Sequence, residues 1–231
     1  MLLFAVATGI IAWLAAKDER HLATKVVLVR SIGLEILVTV AMALVAQRLV
    51  SRHLIEPLRR RAEYDDLTEL LRPGPFWEQA EAAIGRAAQD QQVVSFIFID
   101  LDDFKLINDT HGHGVGDSLL HVFGQVLKKQ ARSEDIVGRL GGEEFGWLMI
   151  GADSQEARQA SLRVLEACQA LSVETFVGFS FSAGVASELP SVEDSPRAWD
   201  VARRADQALY EAKASGKSRV IINPPPENLG A

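Results

Sequence analysis

The chain has 231 residues, enough for one ordinary domain plus an appendage. Hydrophobic residues make up 48% and charged residues 24%, which excludes a disordered chain. A formal net charge of −7 argues against a protein that coats nucleic acid, but a few local lysines still suffice to hold a small phosphate ligand.

Residues 2–16 carry no charge, residues 17–25 are polar, and residues 26–46 are again mostly apolar, with Arg30 and Glu35 inside. A membrane-spanning helix needs about 20 apolar residues, and the second run meets that length. Arg30 can snorkel to an interface, whereas Glu35 needs a partner or a bundle-facing position. The first run is short for a span and lacks the basic region of a signal peptide. Residues 1–50 therefore predict a hydrophobic helical hairpin: two membrane spans, or alternatively a soluble dimerisation or sensor hairpin. Arg48, Arg52, Arg59, Arg60 and Arg61 follow the second run, and the positive-inside rule puts that side in the cytoplasm. Residues 51–63 predict a connector helix, kinked or restarted at Pro57.

From residue 64 to 223 helices and strands alternate. Residues 76–89 predict a helix. VVSFIFID (93–100) is a continuous apolar strand ending in an acid, as expected of a central buried strand. Residues 117–131 predict a helix. DIVGRL and EFGWLMI flank Gly141-Gly142, the composition of a hairpin turn with positive φ. Residues 154–170 predict a helix, 176–187 a strand, 195–216 a helix closed by Gly216, and 218–222 a last strand. Residues 224–231 read as a disordered tail. The fold class is α/β, a sandwich of one sheet and flanking helices. The single cysteine, Cys168, lies in the third of these helices and reads as a structural thiol, since alone it makes no internal disulfide or cysteine zinc site.

Asp100 and Asp102 stand where a buried strand runs into a loop, and Glu143 and Glu144 directly follow the two glycines. Two acidic clusters on adjacent strands suit a hard cation, which takes carboxylate oxygens and leaves room for phosphates. Lys105 lies just beyond the first cluster, with Lys213 and Lys217 far along the chain. The pattern points to metal-dependent phosphoryl or nucleotidyl transfer. A calcium loop is excluded because Lys105 stands where an EF-hand needs glycine. His111 and His113, one residue apart without cysteine or a third histidine nearby, do not suit zinc.

Five segments resemble the GGDEF family of diguanylate cyclases. GGEEF (141–145) resembles its signature. DLDDFKLINDTHGHGVGD (100–117) fits D-x-D-x-F-K-x-x-N-D-x-x-G-H-x-x-G-D, and RADQALYEAKASGK (204–217) fits R-A-D-x-A-L-Y-x-A-K-x-x-G-R except for Lys217. FSAGVA (181–186) resembles the S-x-G-x-A strand, and DDLTEL (65–70) the D-x-L-T-G-L turn. The resemblance covers about residues 64–222 and implies a nucleotide-cyclase-like palm sheet flanked by helices.

It also implies roles. Asp100, Glu143 and the Leu101 carbonyl would ligate Mg²⁺ (or Mn²⁺), with Glu144 as a further ligand or proton acceptor. Lys105, Lys213 and Lys217 would contact the triphosphate, and Gly141 and Gly142 would let the backbone approach it. Asn108 and Asp117 would read guanine, since a carboxylate accepts from N1–H and the exocyclic amine together. Two chains, each holding one GTP, would pair as a homodimer and form cyclic di-GMP. Arg132 and Asp135 resemble the R-x-x-D product-inhibition site, which Arg163 of a second domain would complete; the alternative is a surface ion pair. The implied location is the inner membrane, with the catalytic domain in the cytoplasm. Two departures stand out: DDLTELLRPG replaces the usual turn, with Glu69 for Gly, and Lys217 replaces an arginine. A catalytically silent GTP or cyclic di-GMP receptor is the alternative to an enzyme.

Overall fold

The computed structural model describes residues 22–51, 53, 62–175, 178–193 and 197–224. The first apolar run, Arg52, Pro57, Arg59, Arg60, Arg61 and the 225–231 tail lie outside the described residues. Residues 1–59 and 60–231 form two compact units.

In the first unit, the second apolar run is one helix, α1 (Leu22–Val50). Its 24 residues Val27–Val50 are long and apolar enough to cross a membrane. Its hydroxyls turn back on their own helix: Ser31 Oγ donates to Leu28 O at 2.9 Å and Thr39 Oγ1 to Glu35 O at 2.8 Å. This removes two polar groups from an otherwise apolar surface.

The second unit is an α+β fold built as α2 (Pro73–Gln89), β1 (Val94–Leu101), α3 (Phe104–His111), α4 (His113–Gln130), β2 (Ile136–Arg139), β3 (Glu144–Ile150), α5 (Ser154–Thr175), β4 (Phe181–Glu188), α6 (Ala198–Ala214) and β5 (Val220–Asn223). The sheet order is β2-β3-β1-β4-β5, with only β4–β5 parallel. β1 is central, as its unbroken apolar run requires. Its alternate residues feed two cores. Ile97, Ile99 and Leu101 pack with α4 and α5, and Val94 and Phe96 with α2 and α6. Cys168 is fully buried, and burial pushes its thiol up to about 12, so it is an inert core residue.

Several boundaries differ from the sequence expectation. α2 starts at Pro73, whose missing N–H costs nothing in a first helical turn. α4 extends back to His113. The strand expected at 176–187 begins only at Phe181, although Ser180 O still accepts from Asp102 N at 2.9 Å. Residues 176–177 lie outside the described residues. Neither Gly141 nor Gly142 has positive φ, contrary to the two-residue turn expected. The strands stop at Arg139 and resume at Glu144, and a four-residue connection needs no left-handed residue.

Paired glycines shape the sheet edge. Gly138 and Gly146 face each other across β2 and β3. A Cβ on either would lie 2.7 Å from the Phe76 ring, so both bare backbones seat that ring. The turn before α2 packs on β2 and α4. Leu71 N donates to Val137 O at 3.2 Å, and Arg139 N to Leu71 O at 2.9 Å. Glu69 holds φ 58 in this turn. Only glycine adopts that region without strain, and the Glu69–Lys128 pair at 3.2 Å is exposed on both sides. Glu69→Gly is therefore expected to raise the melting temperature by roughly 2–4 °C, checked by thermal circular dichroism. A lower melting temperature would show that the Lys128 pair outweighs the strain.

Candidate active site

The site forms where β1 ends beside the β2–β3 turn. Antiparallel register sets Asp100 opposite Glu144, and Leu101 N donates to Glu143 O at 3.2 Å. Leu140 N closes the turn onto Glu144 O at 2.8 Å. The Glu144 side chain folds back over Gly141, where a Cβ would meet its Oε2 at 2.6 Å, while Gly142 faces open space. The three acids Asp100, Glu143 and Glu144 thus come together across two neighbouring strands.

Asp100 is the buried member. Burial pushes its carboxyl above the usual carboxylate range, against the pull of Lys213, whose Nζ lies 2.7 Å from Oδ2. Burial, and next the charge of Asp100, also push Glu143 upward. Two carboxylates that disfavour each other's ionisation want a cation between them. Here Lys213 supplies positive charge, paired with Asp100 and pulling against the rise of the Glu143 carboxyl. Among the described residues no cluster of three or more His, Cys, Asp or Glu forms a ready-made metal cage. The donor set therefore fits a cation that takes few carboxylates and completes its shell with phosphate and water, as Mg²⁺ does.

Asp102 does not join this group. Its carboxylate accepts from Ser180 Oγ at 2.8 Å, Ser182 Oγ at 2.7 Å and Ser218 N at 2.9 Å. These bonds tie the end of β1 to β4 and to the loop after α6. Asp102 thus acts as a structural bracket between three segments.

The lysines fall into two sets. Lys213 sits on Asp100, and Lys217 Nζ lies 2.5 Å from Asp103 Oδ1, a hydrogen bond that pushes the lysine's titration up. Lys105 is exposed on α3. Next to it, Asn108 Oδ1 is buried and has no hydrogen-bond partner. It presses on Gly116, where a Cβ would lie 1.9 Å away, so only glycine fits before the exposed Asp117. Asn108 thus packs on the residue next to Asp117, with its Oδ1 acceptor unused. Helix α3, for which the sequence gives no expectation, positions Lys105 and Asn108.

Arg132 and Asp135 lie on the opposite edge, between α4 and β2. Asp135 Oδ2 accepts from Arg132 N at 2.9 Å and from Trp147 Nε1 at 3.0 Å, while Oδ1 is buried without a partner. Burial pushes this carboxyl up, against those hydrogen bonds. The adjoining cleft, about 420 Å³, is lined by Asp135, Glu134, Gln79 and Arg86 of α2, and Asp90 just past its end. Arg163 is exposed on α5 and makes no hydrogen bond or ion pair with Arg132 or Asp135.

Sequence reasoning missed Arg86, Trp147 and Arg139. Arg139 donates from Nε to Gly141 O and Gly142 O, each at 3.2 Å, from Nη2 to Gly142 O at 2.7 Å, and from Nη1 to Asp65 Oδ1 at 3.1 Å. Asp65 also accepts from Thr68 N at 3.0 Å and Thr68 Oγ1 at 2.8 Å. Burial opposes ionisation of Asp65, but the bonds from Thr68 and Arg139 outweigh it and hold the carboxyl below its ordinary range.

Comparison with known proteins places this geometry. The family model for the diguanylate cyclase GGDEF domain matches residues 62–219, more than half of the chain. The chain is 32% identical to the diguanylate cyclase DgcS of Shewanella oneidensis over 78% of its own length and 60% of that protein's. It is 31% identical to the probable diguanylate cyclase DgcE of Escherichia coli over 76% of its length but only 16% of that protein's. It therefore spans less than two thirds of either relative. Among solved structures, the coiled coil and GGDEF domain of DgcB from Caulobacter crescentus, in complex with cyclic di-GMP, superposes with a TM-score of 0.69. That match is 26% identical and covers 82% of this chain and 98% of that one. The active GGEEF domain of a diguanylate cyclase from Vibrio cholerae gives a TM-score of 0.62 at 31% identity, covering 67% and 98%.

Proposed function

The chain belongs to the diguanylate cyclase GGDEF-domain family, and we propose that it condenses two GTP molecules into cyclic di-GMP and two pyrophosphates. The observation that carries this is the Asp100–Glu143 carboxylate pair at the end of β1 and the β2–β3 turn, whose negative charge Lys213 offsets. Asp100, Glu143 and the Leu101 carbonyl would hold Mg²⁺. When bound, the metal supplies positive charge to the α-phosphate and the departing pyrophosphate.

The chain's own residues do the rest. Asn108 Oδ1, buried and unpartnered, and Asp117 accept the guanine N–H groups. Lys105 and Lys217 take triphosphate charge, and Lys213 moves from Asp100 to phosphate as the substrate enters. Open space above Gly142 leaves the turn accessible to phosphate oxygens. The ribose 3′-oxygen of one GTP forms a bond to the α-phosphorus of the other, the bond from that phosphorus to the bridging oxygen breaks, and Glu144 is positioned to accept the 3′-proton. One chain supplies one such half-site, so turnover requires two chains. Asp135 Oδ1, with Arg132, offers a place for product to bind back and inhibit, completed by Arg163 of a second domain. Helix α1 anchors the protein in the inner membrane, with Arg48 and the catalytic unit on the cytoplasmic side.

The test is incubation of the full chain in detergent with GTP and Mg²⁺ and detection of cyclic di-GMP by mass, with Glu143→Ala beside it. Product from the wild type and at least about 100-fold less from the variant is expected. No product from a wild type that binds GTP and dimerises would sink the enzyme reading in favour of a receptor.

A further inference from the structure

We infer that Arg139 is a positioning residue for the cyclase reaction: one guanidinium fixes the turn that carries Glu143 and Glu144 and ties it to Asp65. The inference rests on the cyclase reading above. Its observations are independent of any ligand.

The turn 140–143 has little else to hold it. Its inward amides at Leu140 and Gly141 bond to Glu144 O at 2.8 and 3.3 Å, which closes the loop upon itself. Only Leu101 N, reaching Glu143 O at 3.2 Å, attaches it to β1. The carbonyls of Gly141 and Gly142 point the other way, and Arg139 takes both. Leu140 packs on the core at one end of the turn, but the two glycines after it have no side chains to pack, and glycine carries the largest backbone entropy to lose. A forked, planar donor set is what such a turn needs from outside.

The far side of the guanidinium is held as firmly. Asp65 is clamped by Thr68 N and Thr68 Oγ1, and the 65–71 segment is stitched to β2 through Leu71 and Arg139 N. The Arg139 and Asp65 side chains are only 18% and 20% exposed, so the pair escapes most of the screening that weakens surface ion pairs. Asp65 lies near the start of the 60–231 unit, directly after the connector. A displacement of that opening turn would thus reach the Glu143–Glu144 turn through one side chain. Positional errors of about 1 Å in a catalytic carboxylate can cost on the order of 100-fold in rate.

The experiment compares wild type, Arg139→Gln, Arg139→Lys and Asp65→Asn, each as the full chain in detergent. Arg139→Gln is expected to lower kcat by roughly 30-fold with the KM for GTP within about threefold, because the metal-side carboxylates move and the base pocket does not. Lysine can still pair with Asp65 but has no fork for the two carbonyls. Arg139→Lys should therefore recover thermal stability yet stay at least about tenfold slow. Asp65→Asn should give a smaller loss of the same kind. Amide exchange at Leu140 and Gly141 should quicken about tenfold in Arg139→Gln. Full recovery of kcat by lysine, a kcat for Arg139→Gln within threefold of wild type, or unchanged exchange at those amides would overturn the inference. A wild type without product would instead refute the cyclase reading, and the exchange measurement would then decide the positioning role alone.

Discussion

Asp100→Asn is expected to abolish cyclic di-GMP formation, lowering kcat by roughly 10³-fold, about 4 kcal/mol of transition-state stabilisation. The domain should nevertheless keep its stability. Asn retains the shape of the side chain and loses only its charge. That charge is disfavoured in the fold, because burial raises the Asp100 carboxyl above its ordinary range. The sign follows from linkage: between the ordinary and the raised value the native state holds the proton better than the unfolded chain. Asp100 therefore stabilises the fold least above that window, at neutral pH. Removing the charge relieves this and leaves Lys213 unpaired. With 39% of its side chain exposed, Lys213 regains most of its hydration. The melting temperature of the metal-free variant is expected to stay within about 2 °C of the wild type. A variant that keeps more than a tenth of wild-type activity would show that Asp100 is not needed at the metal, and one that melts far lower would recast it as structural.

Asp100 stands out in the sequence because of where it sits, and Asp102 stands out for the same reason. Both are acids at the end of an apolar run, and sequence alone weights them equally. Only the register separates them. Asp100 is the penultimate residue of β1, opposite Glu144, and meets Lys213 of α6. Asp102 lies just past the strand and is enclosed by Ser180, Ser182 and Ser218, residues 78 to 116 positions away in the chain.

The same division runs through the fold. The run 93–100 announces a central strand because a strand buried on both faces needs no alternation. The order β2-β3-β1-β4-β5 has no such local signature. Helix α3 escaped notice because FKLINDTH places only Phe104 in the core. Arg139 escaped because an arginine ahead of two glycines carries no periodicity, and its partners become neighbours only when residue 65 folds back onto β2. The motif glycines were read as turn formers. At 141 and 142 the backbone asks for no positive φ, and at 116, 138 and 146 glycine is required by a neighbouring side chain.

Gly184 is the extreme case, and Gly184→Ala is expected to cost about 3 kcal/mol of stability, or roughly 6–12 °C in melting temperature. A Cβ there would lie 2.0 Å from Ala205 O, 2.3 Å from Leu209 N and 2.8 Å from Ala208 C. All three are helix backbone, which cannot rotate aside as a side chain does. The closeness comes from α6, whose buried stripe is Ala198, Ala202, Ala205, Ala208 and Ala212, with Val201 and Leu209. Alanines on the helix and glycine on the strand let the two backbones nearly touch. An added methyl therefore has to lift α6 off β4 as a body. That lift reaches the active site, because α6 carries Lys213 and leads directly into the Lys217 loop. Activity should consequently fall by about 10- to 100-fold even in the folded fraction, well below the melting transition. Gly85→Ala on α2 is the matching control: its Cβ meets nothing within 4 Å, so it should stabilise the helix by about 0.5–1 kcal/mol and leave turnover unchanged. If Gly184→Ala melts within about 2 °C of the wild type, the α6–β4 contact yields more easily than its geometry implies. If it melts low but turns over normally, α6 can move without carrying Lys213 away from Asp100.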